Sequence, residues 1–387
     1  MKCGKHGAAL SEMSGKANLL DVAGRKANLL AGAGLLALAI CLAGCAPHGG
    51  GAMPPFGGPA CGPGWRGIAL SDSRAVAQEP RPTVTLGNLA AEAGRRAVEE
   101  VGAGLVAPGD IWITIIDCRD PRDPRMGSLR GDAPVYPASV VKLCYMTAAF
   151  DQNRLGLLPL DHAMRGDLKR MIGVSDNKAT NRILDRLANT SFGPELEGPA
   201  WDSFAHKRQI VERYFQSLGL GGLKVTNKTF DETIPLEGRD MQWLGPARGD
   251  HFERSNSMTT DDTARLLYLI WRRAVVDRPA CEEMLHLMRR TGKSRTFFSS
   301  IVPPGTTLYS KSGWTGLEYH DAGIFDLGEG RAVIVVAFSL MGKSAAMKDQ
   351  PKVIQRAGQI VLERLLAGPG ELDNAPPPAA TDAKKPG

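Results

Sequence analysis

Two apolar runs, residues 322–327 and 331–340, flank Gly328-Glu329-Gly330. Strand-like runs joined by so short a glycine-bearing connection predict a hairpin, and a hairpin needs a sheet to belong to. A third strand run at 306–312 leads into it, and a fourth, "DIWITIIDC" at 110–118, stands near the opposite end of the same block. Helical patterns fill the space between, at about 138–153, 161–172, 178–188, 206–218 and 260–276. Two further helices, at about 86–101 and 352–366, enclose the whole. Strands at both ends with helices between predict an α/β fold of the α+β kind. Its antiparallel sheet is formed by N- and C-terminal strands and flanked by helices, with an inserted all-α lobe. The order is no βαβ alternation, which disfavours a doubly wound parallel sheet. Residues 189–200, rich in Gly and Pro, break the helical pattern and read as an insertion that extends towards His206.

Composition divides the 387 residues into four parts. A content of 43% hydrophobic and 23% charged residues suits a packed core over most of the length. The net charge of +6 is spread along the chain, which reads as a solvated surface and gives no nucleic-acid footprint. Lys16, Arg25 and Lys26 precede an apolar run, 27–44, that ends in Leu42-Ala43-Gly44-Cys45. Basic head, apolar body and small residues at the end make a secretory signal. The pentapeptide "KANLL" occurs twice in this region, too short a repeat to define architecture. The expected parts are a signal over 1–45, a Gly/Pro-rich tether over 46–82, a folded block over 83–367 and a disordered tail over 368–387.

Seven cysteines, at 3, 41, 45, 61, 118, 144 and 281, include no CxxC pair, which argues against a zinc site. Export permits disulfides, and Cys61, Cys118, Cys144 and Cys281 allow several pairings. Cys118 and Cys144 sit among apolar residues and read as buried thiols. Trp201, Trp243 and Trp271 read as packing anchors.

Three short elements carry chemistry. Ser139-x-x-Lys142 follows Pro137 at a helix start, with the lysine one turn after the serine. In isolation it fits a capping serine with a solvent-reaching lysine as well as a nucleophile with its base. Ser175-Asp176-Asn177 lies between two helical runs and Lys311-Ser312-Gly313 ends a strand run. Singly, these are a turn and a strand terminus. In this order, and in these settings, they resemble the Ser-x-x-Lys, Ser-Asp-Asn and Lys-Ser/Thr-Gly set of class A β-lactamases and penicillin-binding proteins. "SDNKATNRIL" and "SNSMTTDDTARLLYLI" extend the resemblance, which covers about 83–367 and is strongest to the class A branch.

The resemblance implies a serine hydrolase of the β-lactamase type that needs no cofactor or metal. It implies that Ser139 is acylated, Lys142 is the base and Ser175 relays a proton to the departing nitrogen. Asn177 would hold Lys142 and the substrate's amide, while Lys311, beside Gly313, would support Ser175 and, with Ser312, bind a carboxylate. The amides of Ser139 and Trp314 would form the oxyanion hole. Lys178, in the second formal Ser-x-x-Lys match, belongs on a helix surface. The implied substrate is a β-lactam or a peptidoglycan stem peptide, acted on by a monomer. Leu-Ala-Gly-Cys resembles a bacterial lipobox, which implies lipidation of Cys45 and a membrane anchor facing the periplasm or cell exterior.

Two departures bear on turnover. Ser139 and Ser175 are closer in sequence than usual in the family, and Ser175 and Lys311 further apart. Aligning "LKVTNKTFDETIPLEG" on the family's glutamate-bearing loop puts Asn227 where the glutamate activates water, and Asp231 at the asparagine. An asparagine takes no proton at neutral pH, so Glu232 or Asp231 would have to substitute. His320-Asp321, after the third motif, reads as a polar strand start near the rim. Three functions remain: a β-lactamase-like hydrolase with slow deacylation, a D-Ala-D-Ala carboxypeptidase, and a non-catalytic relative that binds peptidoglycan or a partner.

Overall fold

The structure, a computed structural model, describes residues 78–230, 235–249, 251–291, 296–342 and 351–367. Strand β1 (Arg81–Pro82) leads into helix α1 (Val84–Ala97), β2 (Ile111–Cys118) and β3 (Arg125–Leu129). The helical lobe follows: α2 (Lys142–Arg154), α3 (His162–Gly173), α4 (Asn177–Ala188), α5 (Gly198–Arg208) and α6 (Ile210–Ser217). Next come β4 (Leu223–Lys224), α7 (Gly238–Leu244), the small hairpin β5 (Ala247–Arg248) and β6 (His251–Phe252), and β7 (Ser257–Met258). Helices α8 (Thr260–Trp271) and α9 (Arg278–Met288) return the chain to β8 (Arg289–Arg290), β9 (Thr307–Trp314), β10 (Glu318–Gly328) and β11 (Arg331–Leu340). Helix α10 (Lys352–Leu366) closes the described residues.

The main sheet has the order β1-β3-β2-β11-β10-β9-β8, so β2 meets β11 and the two ends of the block join as the strand pattern requires. All its pairings are antiparallel except the short β1–β3 edge. Glu329 and Gly330 have φ of +56° and +72°, the left-handed pair that a two-residue hairpin turn demands.

Alternation along β11 shows how the sheet is buried on both faces. Val333, Val335 and Ala337 pack with α1 and α10, while Ala332, Ile334, Val336 and Phe338 pack with the helical lobe. Each large apolar side chain so buried contributes roughly 1.5–3 kcal/mol. The second cluster runs through α2, α4, α6 and α8, and its continuity with the sheet holds the lobe against the strands.

Three local expectations need correction. A helix already begins at Gly198, inside the expected insertion, because Gly198 adopts φ +51° and Pro199 occupies the first turn, where a missing N–H costs nothing. Helix α8 stops at Trp271, short of 276, and Arg273 follows in the left-handed region (φ +58°). Helix α9, unforeseen, starts at Asp277, whose carboxylate accepts from Ala280 N at 2.8 Å, with Pro279 behind it.

Cys118, Cys144 and Cys281 are free and buried, and burial pushes the Cys118 thiol up to about 12. Trp243 and Trp271 are buried, and Trp201 tilts against Trp243 at 6.1 Å. Cys45 and Cys61 lie outside the described residues.

Candidate active site

The segment that carries Ser139 begins with strain. Ala138 has φ +45°, a left-handed backbone that costs a non-glycine residue free energy, and residues Ala138–Val141 then form a 3₁₀ turn before α2. Ser139 was expected to start an α-helix; it sits instead in this tighter turn, whose first position makes no side-chain cap. Side chains three apart eclipse in a 3₁₀ turn, which stacks Lys142 directly over Ser139. Lys142 Nζ lies 2.9 Å from Ser139 Oγ and is fully buried.

The loop between α3 and α4 supplies the next groups. Ser175 is held at φ +62°, again left-handed for a non-glycine, and Asp176 caps α4 by accepting from Ala179 N at 2.8 Å. This turn aims three atoms at Lys142 Nζ: Ser175 O at 2.6 Å, Ser175 Oγ at 3.0 Å and Asn177 Oδ1 at 2.7 Å. Ser175 O and Asn177 Oδ1 only accept, so each takes a lysine N–H. The Ser139 and Ser175 hydroxyls can give or take a proton.

Strand β9 closes the other side. Lys311 Nζ donates to Ser175 Oγ at 3.0 Å and to Ser312 O at 2.5 Å. Burial, aided by Lys142 and Arg290, holds its ammonium well below the usual lysine value. Ser175 Oγ therefore bridges two lysine nitrogens. Next along the strand, a Cβ on Gly313 would lie 2.7 Å from both Pro137 O and Ser139 N, so only glycine lets β9 approach the Ser139 turn. Trp314 follows, 58% exposed, at the rim where the Thr315–Glu318 turn begins. Lys178 lies exposed on α4.

His320 and Asp321 do not reach the rim; both are fully buried, His320 beneath the Ser139 segment and Asp321 on the opposite face of β10 against Phe298. Ser339 N donates to His320 Nδ1 at 3.2 Å, so Nε2 carries the proton and donates to Tyr136 O at 2.9 Å. Burial drives the imidazole down to about 4, which keeps it neutral as a brace behind Ser139. Asp321 accepts from Phe298 N at 2.8 Å, and burial raises it to about 6. Period-two alternation foretold neither, because both faces of this sheet are buried.

Asn227 also lies elsewhere than expected. Its amide nitrogen donates to Arg254 O, its N–H donates to Asn256 Oδ1 at 2.9 Å and its carbonyl accepts from Tyr145 OH at 2.5 Å. These bonds commit Asn227 to holding its own loop. Lys228 turns back to Asp185 at 2.8 Å and Asp240 at 3.0 Å. Thr229 is the residue brought to the site: its Oγ1 lies 3.4 Å from Asn177 O, and Asn181 clamps it by two 2.8 Å bonds to its N–H and carbonyl. Asn181 went unnoticed in the sequence, though it stands one helical turn after Asn177 on the same face. Asp231 and Glu232 lie outside the described residues. Among the described residues no group of three His, Cys, Asp or Glu could hold a metal ion.

No curated protein matches the chain. Among solved structures it is similar to the β-lactamase from Sphaerobacter thermophilus DSM 20745, with 18% identity, 72% of this chain and 98% of that one covered, and a TM-score of 0.51. Similarity to PBP-A is comparable: 19% identity, 75% and 99% covered, TM-score 0.53. A β-lactamase from Chitinophaga pinensis DSM 2588 gives 18%, 70% and 97%, and 0.52. At such identities the likeness concerns the fold. The family model described as the beta-lactamase enzyme family matches residues 163–365, more than half of the chain, and this chain therefore belongs to that family.

Proposed function

We propose that the protein is an acyl-transfer hydrolase in which Ser139 attacks the carbonyl of a β-lactam or a related acyl-D-Ala-like amide. One observation carries this reading: a continuous hydrogen-bonded chain runs from Ser139 Oγ through Lys142 Nζ and Ser175 Oγ to Lys311 Nζ. As an amine, Lys142 keeps its N–H bonds to Ser175 O and Asn177 Oδ1 while accepting the Ser139 proton. The Ser139 oxygen then bonds to the carbonyl carbon. The resulting oxyanion would receive the amides of Ser139 and Trp314, each such donor being worth about 3 kcal/mol in the transition state. When the C–N bond breaks, Ser175 passes a proton, replaced from Lys142, to the departing nitrogen. Lys311 and Ser312 would receive the substrate carboxylate.

Release of the acyl group requires a base for water, and Glu232 and Asp231 are the proposed candidates. Thr229, the residue that faces Asn177, carries no carboxylate, which favours slow release of a β-lactam acyl group, the behaviour also expected of a D-Ala-D-Ala carboxypeptidase. One solved PBP-A variant is itself an acyl-enzyme complex with penicillin G. Incubation with a fluorescent penicillin and a chromogenic cephalosporin tests both readings. Colour release at steady state supports a β-lactamase, and stable label supports the carboxypeptidase. Absence of label, with Ser139→Ala indistinguishable from the parent, would sink both and leave the non-catalytic binding relative. Glu232→Gln that prolongs the label would identify the base. We further propose that lipidated Cys45 anchors the enzyme outside the cytoplasm.

A further inference from the structure

Ser175 and Lys311 come from different parts of the fold, the α3–α4 loop of the helical lobe and strand β9 of the sheet. One side chain spans both. Arg290, half-buried on the edge strand β8, donates to Ser310 O from Nε at 2.9 Å and from Nη2 at 2.5 Å. The same Nη2 donates to Ile172 O at 3.0 Å. Ser310 immediately precedes Lys311, and Ile172 lies in the last turn of α3, three residues before Ser175. A guanidinium presents its donors in a rigid planar fork, so a single group can fix the spacing of two carbonyls; a lysine, a single point on a flexible stem, cannot.

We propose that Arg290 is a positioning residue that locks the strand carrying Lys311 against the loop carrying Ser175, and thereby sets the 3.0 Å Ser175 Oγ–Lys311 Nζ hydrogen bond. Its kinetic consequence rests on the acyl-transfer reading above; its geometric consequence does not. There is an electrostatic side as well. Lys311 is faced by Lys142 from α2, Arg290 from β8 and Asp321 from β10; the two cations and burial weaken its hold on a proton, and Asp321 strengthens it. Loss of the Arg290 charge therefore tightens Lys311's proton, an effect that bracing alone would not produce.

The test compares Arg290→Gln and Arg290→Lys with the parent by crystallography and by the pH profile of fluorescent-penicillin labelling. In Arg290→Gln the Ser175–Lys311 gap should open beyond hydrogen-bonding reach. Labelling should slow about 10- to 100-fold, the usual cost of small misplacements in a catalytic group. The alkaline limb of the profile should move to higher pH. Arg290→Lys keeps the charge and one carbonyl, so the gap should open while the alkaline limb stays. It serves as the comparison should the glutamine variant fail to fold. A folded variant that keeps the parental gap overturns the proposal, whatever the label does, and so does slowed labelling of Arg290→Gln with an unmoved limb. If the parent takes no label, the acyl-transfer reading falls and the crystallographic comparison still decides the role of Arg290.

Discussion

Ala138 and Ser175, the residues that bring Ser139 and Lys142 together, both have positive φ, and neither is glycine. Such strain persists only where the surroundings over-determine it, and here Gly313 is part of what does so. Gly313→Ala should place a methyl 2.7 Å from two backbone atoms that cannot swing aside. Overpacking of this kind costs about 1–3 kcal/mol. Penicillin labelling should drop by on the order of 100-fold, since the displaced group is the amide of Ser139, the proposed nucleophile. His320, beneath the same segment, and Asp321, on the opposite face of β10, titrate with opposite effects on stability. His320 falls from 6.5 to about 4 on folding, so its contribution is complete above 6.5 and is lost as pH drops towards 4. That loss is roughly 3 kcal/mol. Asp321 rises from 3.8 to about 6, so its contribution is complete below 3.8 and is lost as pH climbs through 6. The two offset each other between these limits. His320→Gln, which retains a donor for Tyr136 O, should remove one side of the balance. Melting curves from pH 4 to 7 should then show its Tm gaining on the parent's as pH falls.

At the scale of elements, the site depends on how three segments begin and end. The 3₁₀ turn at Ala138–Val141 converts a spacing of three into a stacked serine and lysine. Asp176 starts α4 so that Asn177 faces Lys142; Asp176→Ala should cost about 1 kcal/mol, read as a Tm lowered by roughly 2–4 °C. Asn181 holds Thr229 through both of its backbone groups. Asn181→Ala should therefore leave labelling near the parental rate and alter the lifetime of the label by about ten-fold, the equivalent of one or two lost hydrogen bonds. The motif residues were legible in the sequence because Ser-x-x-Lys, Ser-Asp-Asn and Lys-Ser-Gly occupy contiguous positions. Asn181, Asn256 and Tyr145 were not, because each acts on a backbone group of a distant segment, which leaves no local pattern. The placement of Asn227 failed for a related reason: an ungapped alignment assumes that a loop keeps its direction, and here Asn256 and Arg254 turn it.

For the molecule as a whole, joining β2 to β11 completes the sheet against which the helical lobe packs, and the motifs meet where β9 approaches the α3–α4 loop. Residues 78–367, which keep β1 and the Gln78 carbonyl that accepts from Tyr268 OH, should fold and take label at the parental rate. Cys45→Ala should shift the full chain from the membrane fraction to the soluble one, measured by fractionation of the expressing cell. Among the described residues no helix is long and apolar enough to cross a membrane. By itself the sequence determined the long strands and most of the helices, the hairpin at Glu329-Gly330 and the identity of the motif residues, since periodicity, turn chemistry and contiguous motifs are local properties. Only the tertiary structure decided that His320 and Asp321 are buried, that Thr229 and not Asn227 faces Asn177, and that Arg290 bonds both Ser310 O on β9 and Ile172 O at the end of α3. Those facts depend on which remote carbonyl or amide a side chain meets, and that is set by packing across long sequence separations.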